Sequence, residues 1–205
     1  MFYNEEEKHS HEEELPAVGV PFGGHDEEDP LIGLVGDITE ETAQQVAMML
    51  LSFNGGRILN TDEEEERPRD LEFFISSGGG SVSDMFTIYD LMSLVKDRRD
   101  IATFGYGRVA SAAIPILAAG TKGKRHIAKH ARLMIHHCAS SMGGTVPSVR
   151  AGYEELKKVE DMMVEVLAEH TDLSVREIYE IYSRNTDEFF SAQDALEMGI
   201  VDKII

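Results

Sequence analysis

The chain has 205 residues, and its 38 acidic against 19 basic side chains give a formal net charge of -19 at pH 7. A chain of this length can bury a full core as one domain, and its single cysteine excludes an internal disulfide framework. The charge has the wrong sign for nucleic acid, no apolar run is long enough to span a membrane, and the N-terminus lacks the pattern of a secretory signal, so we expect a cytoplasmic protein.

Acidic residues crowd the first 29 positions, where Lys8 is the only lysine or arginine, and a second acidic run covers residues 62–66. Both stretches contain too few apolar side chains to offset the entropy of ordering them. We therefore predict a flexible acidic tail over residues 1–29 and a surface loop at 62–66. The tail histidines have no spacing that fixes a metal geometry, so a disordered tail is the preferred interpretation and a weak metal site is the alternative; these are His9, His11 and His25.

From residue 30 onward the apolar pattern switches repeatedly between the strand period and the helix period, which is typical of an α/β domain. The domain is predicted to cover residues 30–205. Its first part alternates short strands with helices: strand 31–35, helix 37–53, strand 71–75, helix 82–95, strand 101–106, helix 111–119, and strands 126–128 and 133–136.

The second part of the domain is predicted to be mostly helical. Pro147 sits where the first turn of a helix tolerates proline, and the apolar spacing continues to about His170. Capping-box patterns at Ser174 and Ser191 each open a short helix, and Gly199 ends the second one before a final strand at 200–204.

A glycine-rich turn, Gly78-Gly79-Gly80-Ser81, joins a predicted strand to a predicted helix. It lacks the spacing of a dinucleotide fingerprint and of a phosphate-binding loop. Two interpretations remain: backbone N–H groups that form an oxyanion hole, or a tight turn that uses glycine for positive φ.

Ser111 stands at the next transition from strand to helix. Its surroundings do not match the G-x-S-x-G nucleophile elbow, so on its own it is either a nucleophile or an ordinary helix cap. Pro115 is tolerated only near the start of a helix, which indicates that this helix begins at Ser111 or later.

His136 closes the apolar strand 133–136, a position that suits a general base but also a satisfied core histidine. Because side chains alternate along a strand, Cys138 faces the same side as His136 and is a rival nucleophile. Asp187 lies beside two phenylalanines and is either the acid that orients the histidine or an ordinary loop carboxylate.

The candidate residues lie in four short segments that follow one another along the chain. They are Ser-Gly-Gly-Gly at 77–80, Gly-Arg-Val-Ala-Ser at 107–111, Met-Ile-His-His-Cys at 134–138 and Asp-Glu-Phe-Phe-Ser at 187–191. Together with residues 118–125 and 195–202, they resemble the motifs of the proteolytic subunits of the Clp protease, the ClpP family. In that family the corresponding motifs are Ser-Pro-Gly-Gly, Gly-x-Ala-Ala-Ser, Met-Ile-His-Gln-Pro and Asp-x-Phe-Met-Ser. The resemblance covers residues 30–205.

The resemblance implies a serine endopeptidase in which Ser111 is the nucleophile, His136 the general base and Asp187 the acid that orients the histidine. It further implies an oxyanion hole made by two backbone N–H groups, those of Gly79 and Ala112. An extended substrate is expected to add as a strand beside the turn that follows; the residues expected to bind it are Gly80, Ser81 and Val82.

The same resemblance implies a ClpP/crotonase-like α/β fold of repeated ββα units with a protruding handle helix, here about 147–170. Members of the family form two stacked heptameric rings that enclose the active sites. A Clp-type AAA+ unfoldase consumes ATP and feeds unfolded polypeptides into the chamber, so no cofactor, metal, nucleic acid or membrane is expected for this chain itself.

Departures from the family's pattern include Ala112 in place of a methionine, His137-Cys138 in place of Gln-Pro, and Thr186 in place of an arginine. Two alternatives to the peptidase therefore stay open. One is a catalytically silent ring subunit or scaffold, and the other is a crotonase acting on acyl-CoA, which shares the glycine turn but needs no serine triad.

Overall fold

The structure is a computed structural model that describes residues 30–54, 68–184 and 186–205. The predicted acidic tail, its three histidines and the predicted acidic loop at 62–66 lie outside the described residues.

Strands and helices alternate along the described chain, as an α/β fold requires. The strands are β1 Leu31–Val35, β2 Leu71–Ser77, β3 Ile101–Ala110, β4 Arg125–Ile127, β5 Arg132–Ile135, β6 Glu188–Ser191 and β7 Lys203–Ile204. The helices are α1 Glu40–Phe53, α2 Val82–Lys96, α3 Ala113–Ala118, α4 Val146–His170, α5 Val175–Tyr182 and α6 Ala192–Glu197. None of the helices in these ranges is long and apolar enough to cross a membrane.

The strands described here form one sheet with the order β1-β2-β3-β4-β7, in which neighbours run parallel. The long strand β3 has two partners on the same edge. Its first half pairs with β4 through residues 103–105, and its end pairs in parallel with β5 through residues 108–110. Strand β6 then pairs antiparallel with β5. The sheet therefore opens near the middle of β3 and gains a second branch.

Alternate residues of β2 divide the two faces of the sheet. Leu71, Phe73 and Ile75 are fully buried and pack in one core with helix residues such as Met85 and Ile88 of α2. The opposite face carries a row of stacked rings: Phe74, Tyr106, Phe104 and His126. The core face of the sheet is therefore the face on which the helices pack, and the face with the aromatic rings is only partly covered.

The predicted elements are present with small shifts. Strand β3 continues to Ala110, and α3 begins at Ala113 instead of Ser111 because the backbone of Ser111 has a left-handed φ of 53°, which a right-handed helix cannot contain. Strand β5 ends at Ile135, so His136 lies one residue beyond it. The final strand shortens to Lys203–Ile204.

Strand β6 is the element that the sequence did not predict. It has four residues, and one of its two aromatic side chains, Phe189, is exposed. A stretch this short gives no clear alternation of apolar and polar side chains. It is held by pairing with β5 and by the capping box of α6, in which the Ser191 side chain and Asp194 bond each other's backbone.

The predicted handle is α4, with Pro147 in its first turn. Only its C-terminal half packs on the domain, where Met163, Val164 and Leu167 are buried. Its first fifteen residues contain no buried side chain within the described structure, and they expose Val149 and Tyr153. The N-terminal half of α4 therefore projects from the domain with an apolar surface.

A buried arginine ties the end of α4 to the sheet. Arg125 of β4 is 4% exposed, and its Nε and Nη2 donate to the Asp202 carboxylate at 2.8 and 2.6 Å. Its Nη1 donates to the backbone carbonyl of His170, the last residue of α4. One guanidinium thus joins a strand, the turn before β7 and the end of the handle.

We expect Asp202→Ala to lower the free energy of unfolding by about 3–5 kcal/mol, because it leaves the Arg125 charge buried without its partner. Burial alone would raise the pKa of Asp202, but hydrogen bonds from Arg125 and from backbone N–H groups hold that pKa below its ordinary value. The stability that the Asp202 carboxylate contributes is therefore present above the unfolded-state pKa of Asp202, and it is lost as the pH falls through the folded-state pKa.

Urea midpoints at several pH values from 7 to 3 measure both effects, with Glu154→Gln as the control because Glu154 is an exposed carboxyl of α4. Equal midpoints for Asp202→Ala and the control at pH 7 would contradict the expectation.

Candidate active site

Ser111 occupies a sharp turn between β3 and α3. Its φ of 53° makes it the one non-glycine residue with positive φ in the described part of the chain. Its N–H donates to the Met134 carbonyl of β5 at 2.8 Å, and its carbonyl accepts from Ile114 N–H at 3.0 Å. On such a sharp turn the side chain projects away from the backbone that precedes it and from the backbone that follows it. The turn has the character of a nucleophile elbow although the sequence lacks that motif.

The parallel pairing of β3 with β5 brings Ser111 and His136 to the same end of the sheet. In this pairing Ala110 is opposite Met134, so each candidate residue follows directly after the paired segment. Ser111 and His136 both line one cavity of about 180 Å³. The sequence prediction that the two residues belong to one site therefore has a geometric basis.

The antiparallel pairing of β6 with β5 carries Asp187 to that strand end. Ile135 is opposite Glu188, so continuing the register by one residue sets Asp187 opposite His136. No hydrogen bond joins the side chains of Ser111, His136 and Asp187 in the described part of the chain. Hydrogen bonds between catalytic groups are often long in the free enzyme and tighten when substrate binds.

The cavity beside Ser111 is mostly apolar. Its walls come from α2, α3, β5, α4 and α5, and its apolar side chains are Val82, Ile114, Ile135, Met163, Leu167 and Tyr182. Such a cavity suits a small or medium apolar side chain. Among residues 30–54, 68–184 and 186–205, no three histidine, cysteine, aspartate or glutamate side chains are grouped as a metal ion would need.

Gly79 brings the glycine-rich turn directly against Ser111. Its φ is +91°, and a Cβ atom at this position would lie 2.7 Å from the Ser111 Cβ and 3.0 Å from the Ala112 nitrogen. Only glycine allows the two backbones to approach so closely. The turn, Ser111 and Ala112 therefore lie close together, as an oxyanion hole formed by Gly79 and Ala112 requires.

The hydrogen bonds of the turn fix the directions of its backbone groups. The Gly79 N–H donates to the Ser77 hydroxyl at 3.1 Å. Ile38 N–H donates to the Gly79 carbonyl, and its carbonyl accepts from Ser81 N–H, so the N–H and carbonyl of Gly80 point away from Ile38. Gly80 also lines the cavity. Gly79 is the glycine that lies against Ala112, and these two residues stay the predicted donors of the oxyanion hole.

The same hydrogen bonds involve one residue of the expected substrate-binding set. Ser81 has its N–H bonded to Ile38 at 2.9 Å, and its hydroxyl caps α2 by accepting from Asp84 N–H at 3.4 Å. Its place in the substrate-binding set stays a prediction. Gly80 and Val82 both line the cavity and stay as candidates.

Cys138 shares the cavity with His136 but is a poor nucleophile. Burial, followed by the nearby Glu160 carboxylate, raises the pKa of the Cys138 thiol to about 11. Because the thiolate is the reactive form, almost all of this cysteine is unreactive at neutral pH. The raised pKa argues against Cys138, and Ser111 stays the predicted nucleophile.

We expect iodoacetamide to alkylate Cys138 about a hundredfold more slowly at pH 8 than it alkylates an exposed cysteine, because the raised pKa lowers the thiolate fraction to that extent. Mass spectrometry measures the rate, with the urea-unfolded chain as the control. Alkylation of the folded chain at the unfolded rate would contradict the raised pKa.

Comparisons with known proteins agree with these motifs. The family model described as Clp protease matches residues 28–205. The chain is 33% identical over 177 residues to ATP-dependent Clp protease proteolytic subunit 2 of Bifidobacterium longum, covering 86% of this chain and 79% of that protein. It is 40% identical over 141 residues to subunit 2 of Rhodococcus jostii, covering 69% and 70%. It is 35% identical over 175 residues to subunit 1 of Corynebacterium jeikeium, covering 85% and 86%.

Proposed function

Because the chain belongs to the Clp protease family, we propose that it is a serine-type endopeptidase subunit that hydrolyses peptide bonds of unfolded polypeptides. Ser111 is the nucleophile, His136 the general base and Asp187 the acid that orients His136. The observation that carries the proposal is the left-handed turn at Ser111, which shares one cavity with His136.

In this reaction the Ser111 hydroxyl attacks the carbonyl carbon of the scissile peptide bond while His136 accepts its proton. His136 then gives the proton to the leaving amine, and a water repeats the two steps to release the acyl group. Asp187 stabilises the imidazolium form of His136. The N–H groups of Gly79 and Ala112 stabilise the negative charge that develops on the carbonyl oxygen.

The walls of the cavity support a preference for an apolar side chain before the cleaved bond. The main chain of the substrate lies extended along Gly80, Ser81 and Val82, where backbone hydrogen bonds hold it with little regard to its sequence. The missing methionine side chain at Ala112 leaves more room beside the first substrate pocket.

The assembly that fits this activity is a pair of stacked heptameric rings in which α4 lies between the rings. The support for it is the N-terminal half of α4, whose exposed Val149 and Tyr153 need a partner surface. A cytoplasmic AAA+ unfoldase consumes ATP and supplies unfolded chains, and this subunit itself uses no cofactor. The second candidate, a silent ring subunit, is favoured by the absence of a hydrogen bond joining Ser111, His136 and Asp187 in the described chain.

We expect Ser111→Ala to reduce cleavage of a short fluorogenic peptide by on the order of a millionfold without changing the assembly. Intact mass after incubation with a fluorophosphonate gives a direct measurement, because a single adduct should form on the native chain and be lost in Ser111→Ala. Cys138→Ser is the matched control and should keep the adduct. An assembled native particle that takes up no adduct would support the silent subunit instead.

We expect the native particle to have a sedimenting mass far above the 22.8 kDa of a single chain. Val149→Glu combined with Tyr153→Glu introduces charge on the exposed apolar surface of α4, so the particle should fall to about half its mass by separation into single rings. Analytical ultracentrifugation measures both masses, with Glu154→Gln on the same stretch as the control. A native monomer at micromolar concentration would exclude the ring assembly.

A further inference from the structure

We propose that Glu160 of α4 is a positioning residue for the general base, because it holds the segment that immediately follows His136. This inference rests on the proposed function. Glu160 Oε2 accepts a hydrogen bond from the Cys138 N–H at 3.2 Å and lies 3.2 Å from Nδ1 of His137. A single carboxylate oxygen thus binds the two residues after the base.

His136 needs such support because it lies beyond the sheet. Strand β5 ends at Ile135, and its pairing with β6 also stops there. The residues that follow, up to the start of α4, form no regular structure. The backbone on the far side of His136 therefore depends on side chains for its position, and Glu160 provides a charge-assisted acceptor for it.

The helix that carries Glu160 is itself firmly placed. Met163 and Leu167, three and seven residues further along, lie on the same face of α4 and line the cavity with His136. Arg125 binds the carbonyl at the end of the helix. Glu160 therefore transmits the position of a packed helix to the base.

The ring of His137 contacts both Glu160 and Tyr182. It packs against Tyr182 of α5 with centroids 5.4 Å apart, and its Nε2 is buried with no hydrogen-bond partner in the described structure. A proton on Nδ1 lets the ring donate to Glu160, which then accepts from two donors at once. His137 is not among the residues that line the cavity with His136.

The test compares Glu160→Ala and Glu160→Gln in the full chain, with Glu165→Ala as the control because Glu165 is exposed on the same helix. Three quantities are measured: kcat and KM for a fluorogenic peptide, the rate of fluorophosphonate labelling of Ser111, and the sedimenting mass. A base displaced by about 1 Å can cost on the order of a hundredfold in rate.

We expect Glu160→Ala to lower kcat and the labelling rate by roughly tenfold to a hundredfold, with KM within about twofold and the mass unchanged. Glu160→Gln should recover most of the rate, because its amide oxygen still accepts from the Cys138 N–H. His137→Ala removes one of the two donors to Glu160 and should lower kcat and the labelling rate less than Glu160→Ala does.

Two results would overturn the positioning role. One is a Glu160→Ala protein with the kcat and labelling rate of the Glu165→Ala control. The other is an equal loss of kcat in Glu160→Ala and Glu160→Gln together with a lower sedimenting mass. That result would make Glu160 merely structural. Failure of the native particle to label at all would instead refute the proposed function, and with it the role of Glu160.

Discussion

The geometry of the candidate site depends on the way that β3 changes partners along its length. Between Ile75 opposite Gly105 and Ser77 opposite Val109, the pairing of β2 with β3 takes up two extra residues of β3. This irregularity lets the end of β3 leave β4 and pair with β5. As a result the chain after β3, the chain after β5 and the turn after β2 all arrive at one place. The change of partner from β4 to β5 is thus what brings Ser111 and His136 to one place.

The site also depends on one helix with three separate contacts. The end of α4 is held by Arg125, its buried face supplies Met163 and Leu167 to the cavity, and Glu160 reaches the segment after His136. The other half of the same helix projects away from the domain. The projecting half therefore belongs to an element that touches both the cavity and the segment after His136.

Much of the fold could be predicted because its long elements have strong periods: α2 and α4 were predicted to within one or two residues of their observed bounds. The site residues followed from motifs whose order matched a known family. Strand β6 could not be predicted, since its four residues are held by pairing with a distant strand. The hydrogen bonds of the glycine-rich turn also lay beyond the sequence, because the residue that pairs with Gly80 is Ile38, far away in the chain.

The backbone of Ser111 has a consequence for how such a chain would evolve once its chemistry was no longer needed. A left-handed φ costs a residue with a side chain about 1–2 kcal/mol, a cost that glycine escapes. Selection for stability alone would therefore favour glycine at position 111, because glycine tolerates positive φ. A serine in this conformation opposes the backbone preference of the fold, so its presence at position 111 brings no evident benefit to the folded state.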